Sequence, residues 1–384
     1  MKIVTVGAGG YAANYVKALL DLKNSAFNYE GIVEPYFEAC PLKEEIISAG
    51  IPVYNTMEEF FSEHSADIAV ISTPPFLHLE QSRLALKHGA FVLCEKPAAP
   101  TVEEVEGMAA DEERYGRKTA IGYQWCYSFA VKNLKKDIID GKLGKPKALK
   151  TIISWPRNRD YYNRGGGWGG RISKNGRLIL DSIASNACAH YIHNMLYLLG
   201  ARMEESASPL SAEAECMRAN NIENFDTCVL RMKLADSCTA YFAATHAGDR
   251  LRNPEFIYTF ENAQVKYPVN GNIVAYFKDG TQKNYGDPLE DIMQKLWDTA
   301  EYAEKGTELV CTAKTSLPHT RLIGDIYKNV KITDFPPELI CEDKSDNRVF
   351  VKRLSDALGR AYDGMKMLSE TDEKFASKAY NFGE

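Results

Sequence analysis

A glycine-rich turn between a strand and a helix constrains the fold of this chain more than any other feature. The sequence GAGGYA at residues 7–12 follows the apolar run Lys2–Val6 and opens an amphipathic stretch. In such a turn Gly7 makes the tight bend, Gly9 lets the backbone approach a pyrophosphate, and Ala12 lets the helix pack on the strand. The helix N-terminus favours negative charge. We therefore predict dinucleotide contacts from Gly7, Gly9, Gly10, Tyr11 and Ala12.

Up to residue 122, short β-branched runs alternate with amphipathic helical stretches, which is typical of a doubly wound parallel α/β sheet. The predicted strands are Lys2–Val6, Tyr29–Val33, Ile68–Ser72, Phe91–Cys94 and Thr119–Ile121. The predicted helices begin at Tyr11, Leu42, Met57, Leu77 and Val102. We interpret residues 1–122 as a Rossmann domain.

After residue 122 the pattern changes. Residues 206–285 mostly alternate polar and apolar side chains, as in an antiparallel sheet. We predict an α+β domain over residues 123–335, with a large open sheet that is mostly antiparallel, and a helical extension over residues 336–384. Further predicted elements are a helix at Ala130–Asp140, a strand at Ala148–Trp155, a loop rich in Gly, Arg and Tyr, and helices near Ala184–Leu199, Leu289–Lys305, Leu317–Lys328 and Arg348–Leu368.

Glu34 stands at the end of the second predicted strand. An acidic side chain at this point accepts hydrogen bonds from the adenosine ribose hydroxyls of a dinucleotide. A 2′-phosphate ~4 Å from this carboxylate would be repelled by roughly 4 kcal/mol per charge pair at an effective dielectric constant near 20. The following residues, Pro35 to Phe37, bring no cation. The sequence therefore predicts NAD, not NADP, as the cofactor.

Two more strand ends carry polar residues, in the segments STPPFLH (residues 72–78) and CEKP (residues 94–97). The carboxyl ends of the strands surround the ligand crevice in a doubly wound sheet. We expect both segments to line the dinucleotide site. The further predicted cofactor contacts are Ser72, Thr73, Pro74, His78, Glu95, Lys96 and Gln124.

The order and spacing of these motifs resemble the Gfo/Idh/MocA family of sugar and inositol dehydrogenases. The resemblance continues through GYQW (residues 122–125), DGKLGKP (residues 140–146) and AHYIHNMLYLLG (residues 189–200) and covers residues 2–322. It implies that Lys96 contacts the reacting oxygen, that Glu95 and Pro97 lie beside the nicotinamide, and that the Lys96–Pro97 bond is cis. An ammonium group there stabilises the alkoxide that develops on the reacting oxygen, as hydride leaves the carbon that bears this oxygen. The alternative is a surface lysine at a strand end.

The same resemblance assigns the general base to His190, counted back from the LLG that ends its helix. An imidazole near pH 7 can take a hydroxyl proton during oxidation and return it during reduction. A core histidine is the alternative interpretation. His193 shares the helix face, but no carboxylate or cysteine completes a ligand set at the usual spacing, so we expect no metal.

Two positions depart from the common pattern of the family. Many relatives place an aspartate four residues before the histidine, where this chain has Asn186, and the nearest acid is Asp181. An amide can orient substrate hydroxyls, but it cannot hold negative charge beside an imidazolium. Cys126 stands where relatives often have an arginine. The proton relay is therefore left open between Asp181 and Asn186.

Arginines and aromatic residues are concentrated in the segment SWPRNRDYYNRGGGWGGRI at residues 154–172. This mixture suits an oxygen-rich or anionic ligand, through bidentate hydrogen bonds and stacking on a sugar's apolar face. It equally suits a subunit-contact loop, because Arg, Tyr and Trp are enriched at interfaces. A loop of one subunit could also close the site of the next. The predicted substrate contacts are Lys96, Tyr123, Arg157, Tyr161, Trp168, Asp181, Asn186 and His190.

Composition restricts the partners. The net charge of −6 is spread over mixed signs without a long basic run, which argues against nucleic acid. No apolar run is long enough to span a bilayer, and the N-terminus lacks the pattern of a secretory signal. The nine cysteines are scattered without a CxxC pair, as in reduced cytoplasmic proteins. We expect a cytoplasmic homodimer or homotetramer.

Together these features predict an NAD-dependent oxidoreductase that acts on a secondary alcohol of a sugar, inositol or sugar derivative. Two alternatives stay open. One is an NAD-dependent glycosidase that oxidises its sugar transiently and eliminates the aglycone. The other is a non-catalytic regulatory protein that binds sugar and NAD.

Overall fold

The computed structural model describes residues 1–22, 26–371, 374, 375 and 377–383. The chain divides into two units. The first consists of Met1–Tyr127 with Asp291–Leu317, and the second of Ser128–Glu290 with Pro318–Glu384. The sequence pattern predicts a boundary at residue 122, with residues 291–317 in the second domain. This segment instead returns to the first unit, a long-range association that local periodicity does not encode.

The first unit contains a parallel sheet of six strands in the order β3-β2-β1-β4-β5-β6. The strands are β1 (Lys2–Val6), β2 (Asn28–Val33), β3 (Val53–Tyr54), β4 (Ile68–Ile71), β5 (Phe91–Cys94) and β6 (Thr119–Ile121). The order reverses between β1 and β4, which is the point where open α/β sheets bind ligands. The predicted doubly wound fold is confirmed. Only β3 was missed, because two residues are too few to show a periodicity.

The second unit contains a mixed sheet of ten strands. Its order is β16-β15-β14-β13-β7-β12-β11-β10-β17, and β20 also pairs with β10. Two pairs, β7 with β12 and β10 with β17, are parallel and the others are antiparallel, as predicted. The strands of this unit are β7 (Pro146–Ser154), β8 (Ser173–Lys174), β9 (Arg177–Leu178), β10 (Ser211–Arg218), β11 (Thr227–Lys233), β12 (Thr239–Thr245), β13 (Arg252–Phe260), β14 (Ala263–Val269), β15 (Asn272–Phe277), β16 (Gln282–Gly286), β17 (Thr333–Asp334), β18 (Ile340–Asp343), β19 (Arg348–Val351) and β20 (Tyr380–Gly383).

The helices of the described residues include two with complete capping boxes. Thr56 accepts a hydrogen bond from Glu59 N at the start of α3, and Thr101 accepts one from Glu104 N at the start of α5. Such caps satisfy donors that helices leave open at their N-termini. The helices are α1 (Ala12–Leu20), α2 (Lys43–Ser48), α3 (Met57–Glu63), α4 (His78–Lys87), α5 (Val102–Tyr115), α6 (Gln124–Tyr127), α7 (Phe129–Ile139), α8 (Arg159–Gly167), α9 (Ala189–Leu198), α10 (Gln294–Lys305), α11 (Ala313–Asn329) and α12 (Leu354–Gly364).

Two predictions of secondary structure were wrong, and a third gave the right helix with a different first turn. The loop predicted after β7 contains α8, because Asn158 caps a helix by accepting a hydrogen bond from Tyr161 N at 3.1 Å. The helix predicted near residues 184–199 starts as the π-helical turn Ile183–Ala187 and continues as α9. The C-terminal helical extension also contains β18, β19 and β20. In β19 half-buried and buried side chains alternate, which is the period of a strand.

Among the described residues, no helix has both the length and the apolar character needed to cross a membrane.

Candidate active site

The glycine turn of the first unit has the geometry that a pyrophosphate requires. Gly7 has φ +97° and donates its N–H to Val33 O at 2.8 Å, and a Cβ there would lie 2.6 Å from Ser72 O. Only glycine fits such a position. A Cβ on Gly9 or Gly10 would meet no heavy atom within 4 Å, so the turn is open on that side. Helix α1 then begins without a side-chain cap or an acidic first turn. The turn therefore fits an anion bound by backbone N–H groups.

Glu34 is bound to the glycine turn through its carboxylate. Its Oε2 accepts a hydrogen bond from Ala8 N at 2.9 Å, and its Oε1 accepts one from Tyr36 N at 3.0 Å. The residue is half-buried at the end of β2. A carboxylate offers about four acceptor positions, so two remain for ribose hydroxyls. This part of the unit also fits the predicted dinucleotide.

His78 links the turns that follow β4 and β5. The residue is fully buried, with Nδ1 3.0 Å from Pro97 O and Nε2 2.9 Å from Thr73 O. Burial lowers the pKa of His78, so its ring is neutral near pH 7. Thr73 Oγ1 also donates to Gln81 Oε1 at 2.5 Å. His78, predicted as a cofactor contact, lies between the two loops that carry Ser72 to Pro74 and Glu95 to Pro97. Its neutral ring has one N–H and can donate it to a backbone carbonyl of one of these loops.

The CEKP segment has the cis Lys96–Pro97 bond that the family resemblance implies. Lys96 is half-buried, and Glu95 beside it is buried at the end of β5. Glu95 Oε1 accepts a hydrogen bond from Tyr15 OH at 2.6 Å, and Oε2 accepts one from Lys96 N at 3.1 Å. The same Oε1 forms an ion pair with Lys295 Nζ. Residues of the first unit therefore hold the Glu95 carboxylate in position, and one of them, Lys295, is its ion-pair partner.

Lys295 was not predicted from the sequence. It lies on α10, and its Nζ donates to Tyr11 OH at 3.1 Å, while Tyr11 OH donates to Gln124 Oε1 at 3.1 Å. Tyr11, Gln124 and Glu95, predicted as separate cofactor contacts, thus belong to one hydrogen-bonded network. Tyr123, predicted to contact substrate, is buried. No motif marks Lys295, because a lysine in an amphipathic helix ordinarily faces solvent.

In the second unit, Asp181 is the centre of a hydrogen-bonded cluster. Arg164 Nη2 lies 3.1 Å from its Oδ1 and 2.9 Å from its Oδ2. Gly170 N donates to Oδ2 at 2.7 Å, and Asn186 Nδ2 donates to Oδ1 at 2.7 Å. Asp181 is itself buried. The structure thus brings together the two residues between which the sequence left the relay open.

His190 lies in the first turn of α9, immediately after the π-helical turn, and is half-buried. His193 is fully buried, and its ring stacks on Tyr197 with the centroids 6.1 Å apart. Of the two histidines, the more exposed His190 is better suited to proton exchange with a ligand.

The arginines of the segment at residues 154–172 gather around Tyr161. The Cζ atom of Arg157 lies 4.8 Å from the centre of this ring, and that of Arg164 lies 3.9 Å from it. Arg164 also stacks on Trp168, at 4.4 Å. The ring of His246, which sequence reasoning missed, meets Tyr161 edge-on at 5.3 Å. Burial and the two guanidinium groups hold the pKa of His246 well below its usual value.

These guanidinium groups differ in their partners. Arg164 is paired with Asp181, whereas Arg157 forms no ion pair with the described residues, and its buried Nε has no hydrogen-bond acceptor among them. Arg157 is only half-buried. Of the arginines around Tyr161, Arg157 is therefore the one with donor capacity left for a ligand.

Comparison with known proteins places the first unit in a class. Residues 1–123 match the model of the Gfo/Idh/MocA oxidoreductase family with an NAD-binding Rossmann fold. The predicted resemblance to this family and the predicted cofactor, NAD, are confirmed over these residues.

Curated relatives match part of the chain. The chain is 29% identical over 151 residues to glucose-6-phosphate 3-dehydrogenase of Bacillus subtilis, covering 39% of this chain and 41% of that protein. It is 26% identical over 145 residues to inositol 2-dehydrogenase of Renibacterium salmoninarum, covering 38% of this chain and 43% of that protein. The chain thus spans less than half the length of these relatives.

Solved structures extend the likeness of fold over more of the chain. The WlbA dehydrogenase of Bordetella pertussis, in complex with NADH and UDP-GlcNAcA, superposes with a TM-score of 0.69 and 19% identity, covering 85% of this chain and 95% of that chain. An oxidoreductase of Agrobacterium radiobacter, in complex with NAD⁺, L-tartaric acid and magnesium, gives a TM-score of 0.68 at 15% identity. The superposition covers 85% of this chain and 95% of that chain. At these identities the likeness concerns the fold alone.

Proposed function

We propose that this protein is an NAD-dependent oxidoreductase that transfers hydride between a secondary alcohol of a sugar, inositol or sugar derivative and the nicotinamide. The observation that carries the proposal is the arrangement of the first unit. The open glycine turn, Glu34 and the CEKP segment all follow strands at the carboxyl edge of one parallel sheet. This edge binds dinucleotides in doubly wound folds. The named dehydrogenases among the relatives support the reaction class.

The proposed mechanism assigns one role to each of two side chains. NAD, when bound, supplies the hydride acceptor. The Lys96 ammonium donates a hydrogen bond to the substrate oxygen and stabilises negative charge that develops there as the C–H bond breaks. His190 takes the hydroxyl proton as the carbonyl forms and returns it in the reverse direction. Charge and protons then balance, because hydride leaves carbon while the proton leaves oxygen.

Substrate orientation is the proposed role of Arg157. Its guanidinium has donor capacity left, and planar guanidinium groups bind oxygen atoms in pairs. Asn186, held by Asp181, is proposed to orient hydroxyl groups through its amide. Tyr161 and Trp168 already stack with Arg164, so in this proposal they support the arginines and border the sugar.

A screen for NAD reduction over pyranoses, inositols and uronic acids tests this function. With a substrate in hand, Lys96→Ala is expected to lower kcat by at least a hundredfold, because the developing alkoxide loses its stabilising charge. Lys87→Ala is the matched control, since Lys87 is exposed at the end of α4. A Lys96→Ala enzyme with the wild-type rate would contradict the assignment. Aglycone release from glycosides without NADH accumulation would favour the transient-oxidation alternative.

The homodimer or homotetramer and the cytoplasmic location stay predictions. Sedimentation equilibrium of the purified chain measures the first directly.

A further inference from the structure

Lys295 carries a buried charge to which the proposed mechanism gives no role. Its side chain is 0% exposed, and its Nζ pairs with Glu95 Oε1. The same Nζ lies 3.1 Å from Tyr11 OH and 3.4 Å from Gly122 O. An ammonium group has three donors, and here all three have acceptors. A buried charge is tolerated only with such pairing, so Lys295 and Glu95 depend on each other.

The strand order places this pair within the proposed cofactor site. Glu34 follows β2, on the adenosine side of the reversal between β1 and β4. The other mononucleotide half of a Rossmann fold lies across that reversal, over β4 and β5. Glu95 directly follows β5. The pair therefore belongs to the half of the sheet that receives the nicotinamide.

Five other titratable groups whose pKa values are influenced by the Glu95 carboxylate are neutral near pH 7. Burial raises the pKa values of nearby phenols and of a thiol, which keeps them protonated, and lowers that of an imidazole, which keeps it uncharged. These groups are Tyr11, Tyr15, Tyr123, Cys94 and His78. Burial also lowers the pKa of Lys295, against the attraction of the Glu95 carboxylate. Lys295 thus carries the charge that is ion-paired with the Glu95 carboxylate. The neighbouring Lys96 also brings an ammonium group to this half of the sheet, and it is unchanged in every variant compared below.

We propose that Lys295 is a positioning residue that holds Glu95 and cancels its charge, so that the site does not favour one redox form of the nicotinamide. The oxidised ring is cationic and the reduced ring is neutral. A lone carboxylate at this point would favour the oxidised form, and a lone ammonium would favour the reduced form. The proposal rests on the proposed function only in that the chain binds NAD.

The test compares the dissociation constants of NAD⁺ and NADH in four variants, without substrate, by calorimetry and nucleotide fluorescence. Lys295→Met is expected to lower the ratio Kd(NAD⁺)/Kd(NADH) on the order of tenfold, and Glu95→Gln to raise it by a similar factor. The double variant Glu95→Gln/Lys295→Met is expected to return the ratio to within about twofold of wild type. The control is Lys305→Met, an exposed lysine at the end of the same helix.

The pH dependence separates charge from shape. In Glu95→Gln the ratio should be raised at low pH, where Lys295 is protonated, and return toward wild type at high pH. A lost packing contact would not produce this pH dependence.

The proposal is overturned if both single variants move the ratio in the same direction, or if neither moves it while binding persists. If Lys295→Met does not fold, Glu95→Gln and the double variant decide, and equal ratios in these two overturn the proposal. Failure of the wild-type chain to bind either nucleotide would instead contradict the proposed function. If the chain binds NAD⁺ and NADH but turns over no sugar, the proposed function is contradicted, and the ratio of dissociation constants still decides the role of Lys295.

Discussion

Asn186 donates a hydrogen bond of 2.7 Å from Nδ2 to Oδ1 of Asp181. The same carboxylate accepts hydrogen bonds from Arg164 and from Gly170 N. Its acceptor positions are therefore used within the second unit, and its charge is balanced by the guanidinium. The role of Asp181 is to fix Asn186 and Arg164, and it has little capacity left to act as a proton relay.

The substitution Asn186→Asp is expected to destabilise the protein, although it introduces the aspartate that the family resemblance would lead one to expect at this position. The substitution would place a second carboxylate beside Asp181, where the Asn186 amide now donates a hydrogen bond. Repulsion raises the pKa of one carboxyl group above its unfolded value, so stability falls as pH rises and recovers as pH falls. We expect a loss of roughly 1–3 kcal/mol at pH 8 that is smaller at pH 5 and largely absent only near pH 4, the unfolded pKa of a carboxyl group.

Urea unfolding at pH 8 and pH 5 measures this effect. Asn186→Ala is the control, because it loses the hydrogen bond without adding a charge. Equal stability losses at pH 5 and pH 8 in the aspartate variant would show that repulsion is not the cause.

Glu34→Gln is expected to weaken discrimination against NADP by tenfold or more. The substitution keeps a carbonyl oxygen that can accept from Ala8 N, while it removes the charge that repels a 2′-phosphate. The dissociation constants of NADH and NADPH, measured by fluorescence, give the ratio. Glu38→Gln is the control, since Glu38 is exposed and pairs with Lys43. An unchanged ratio in Glu34→Gln would place the discrimination elsewhere.

Arg157→Gln is expected to raise KM for acidic sugars at least tenfold and to change KM for neutral sugars much less. A guanidinium–carboxylate or guanidinium–phosphate contact is charge-assisted, whereas a contact with a hydroxyl group is not. The control is Arg159→Gln, because Arg159 lies on the same segment, is exposed and pairs with Glu342. Glucose 6-phosphate, glucuronate and glucose are suitable probes. Equal changes for all three sugars would argue against an anion subsite at Arg157.

The local sequence predicted the strands and turns whose conformation depends mainly on neighbouring residues. Strands β1, β5 and β6 have the predicted bounds, because their short apolar runs end at turns that the sequence marks. The glycine turn followed from residue types that the backbone geometry requires. Lys295 could not be found in this way, since its burial depends on a helix that returns to the first unit after eight strands of the large sheet. His246 was missed for a similar reason, because it meets Tyr161 only across the fold.

The stability of the protein is expected to fall as pH decreases from 7 to 5, in part through His246. Burial and two neighbouring arginines lower the folded pKa of His246, while the unfolded value stays near 6.5. Below that pH the unfolded chain binds a proton that the folded chain does not, so stability decreases by up to about 1.4 kcal/mol per pH unit for each such group. His78 contributes with the same sign.

His246→Gln is therefore expected to flatten the pH dependence of unfolding between pH 5 and 7, because glutamine does not titrate. Its free energy of unfolding at pH 8 can be lower than that of wild type without affecting this slope. His88→Gln is the control, since His88 is exposed at the end of α4. Urea unfolding at pH 5, 6, 7 and 8 gives the slopes. Parallel curves for wild type and His246→Gln would mean that His246 takes up its proton over the same pH range in the folded protein and in the unfolded chain. That result would contradict a lowering of its pKa by burial and by the two arginines.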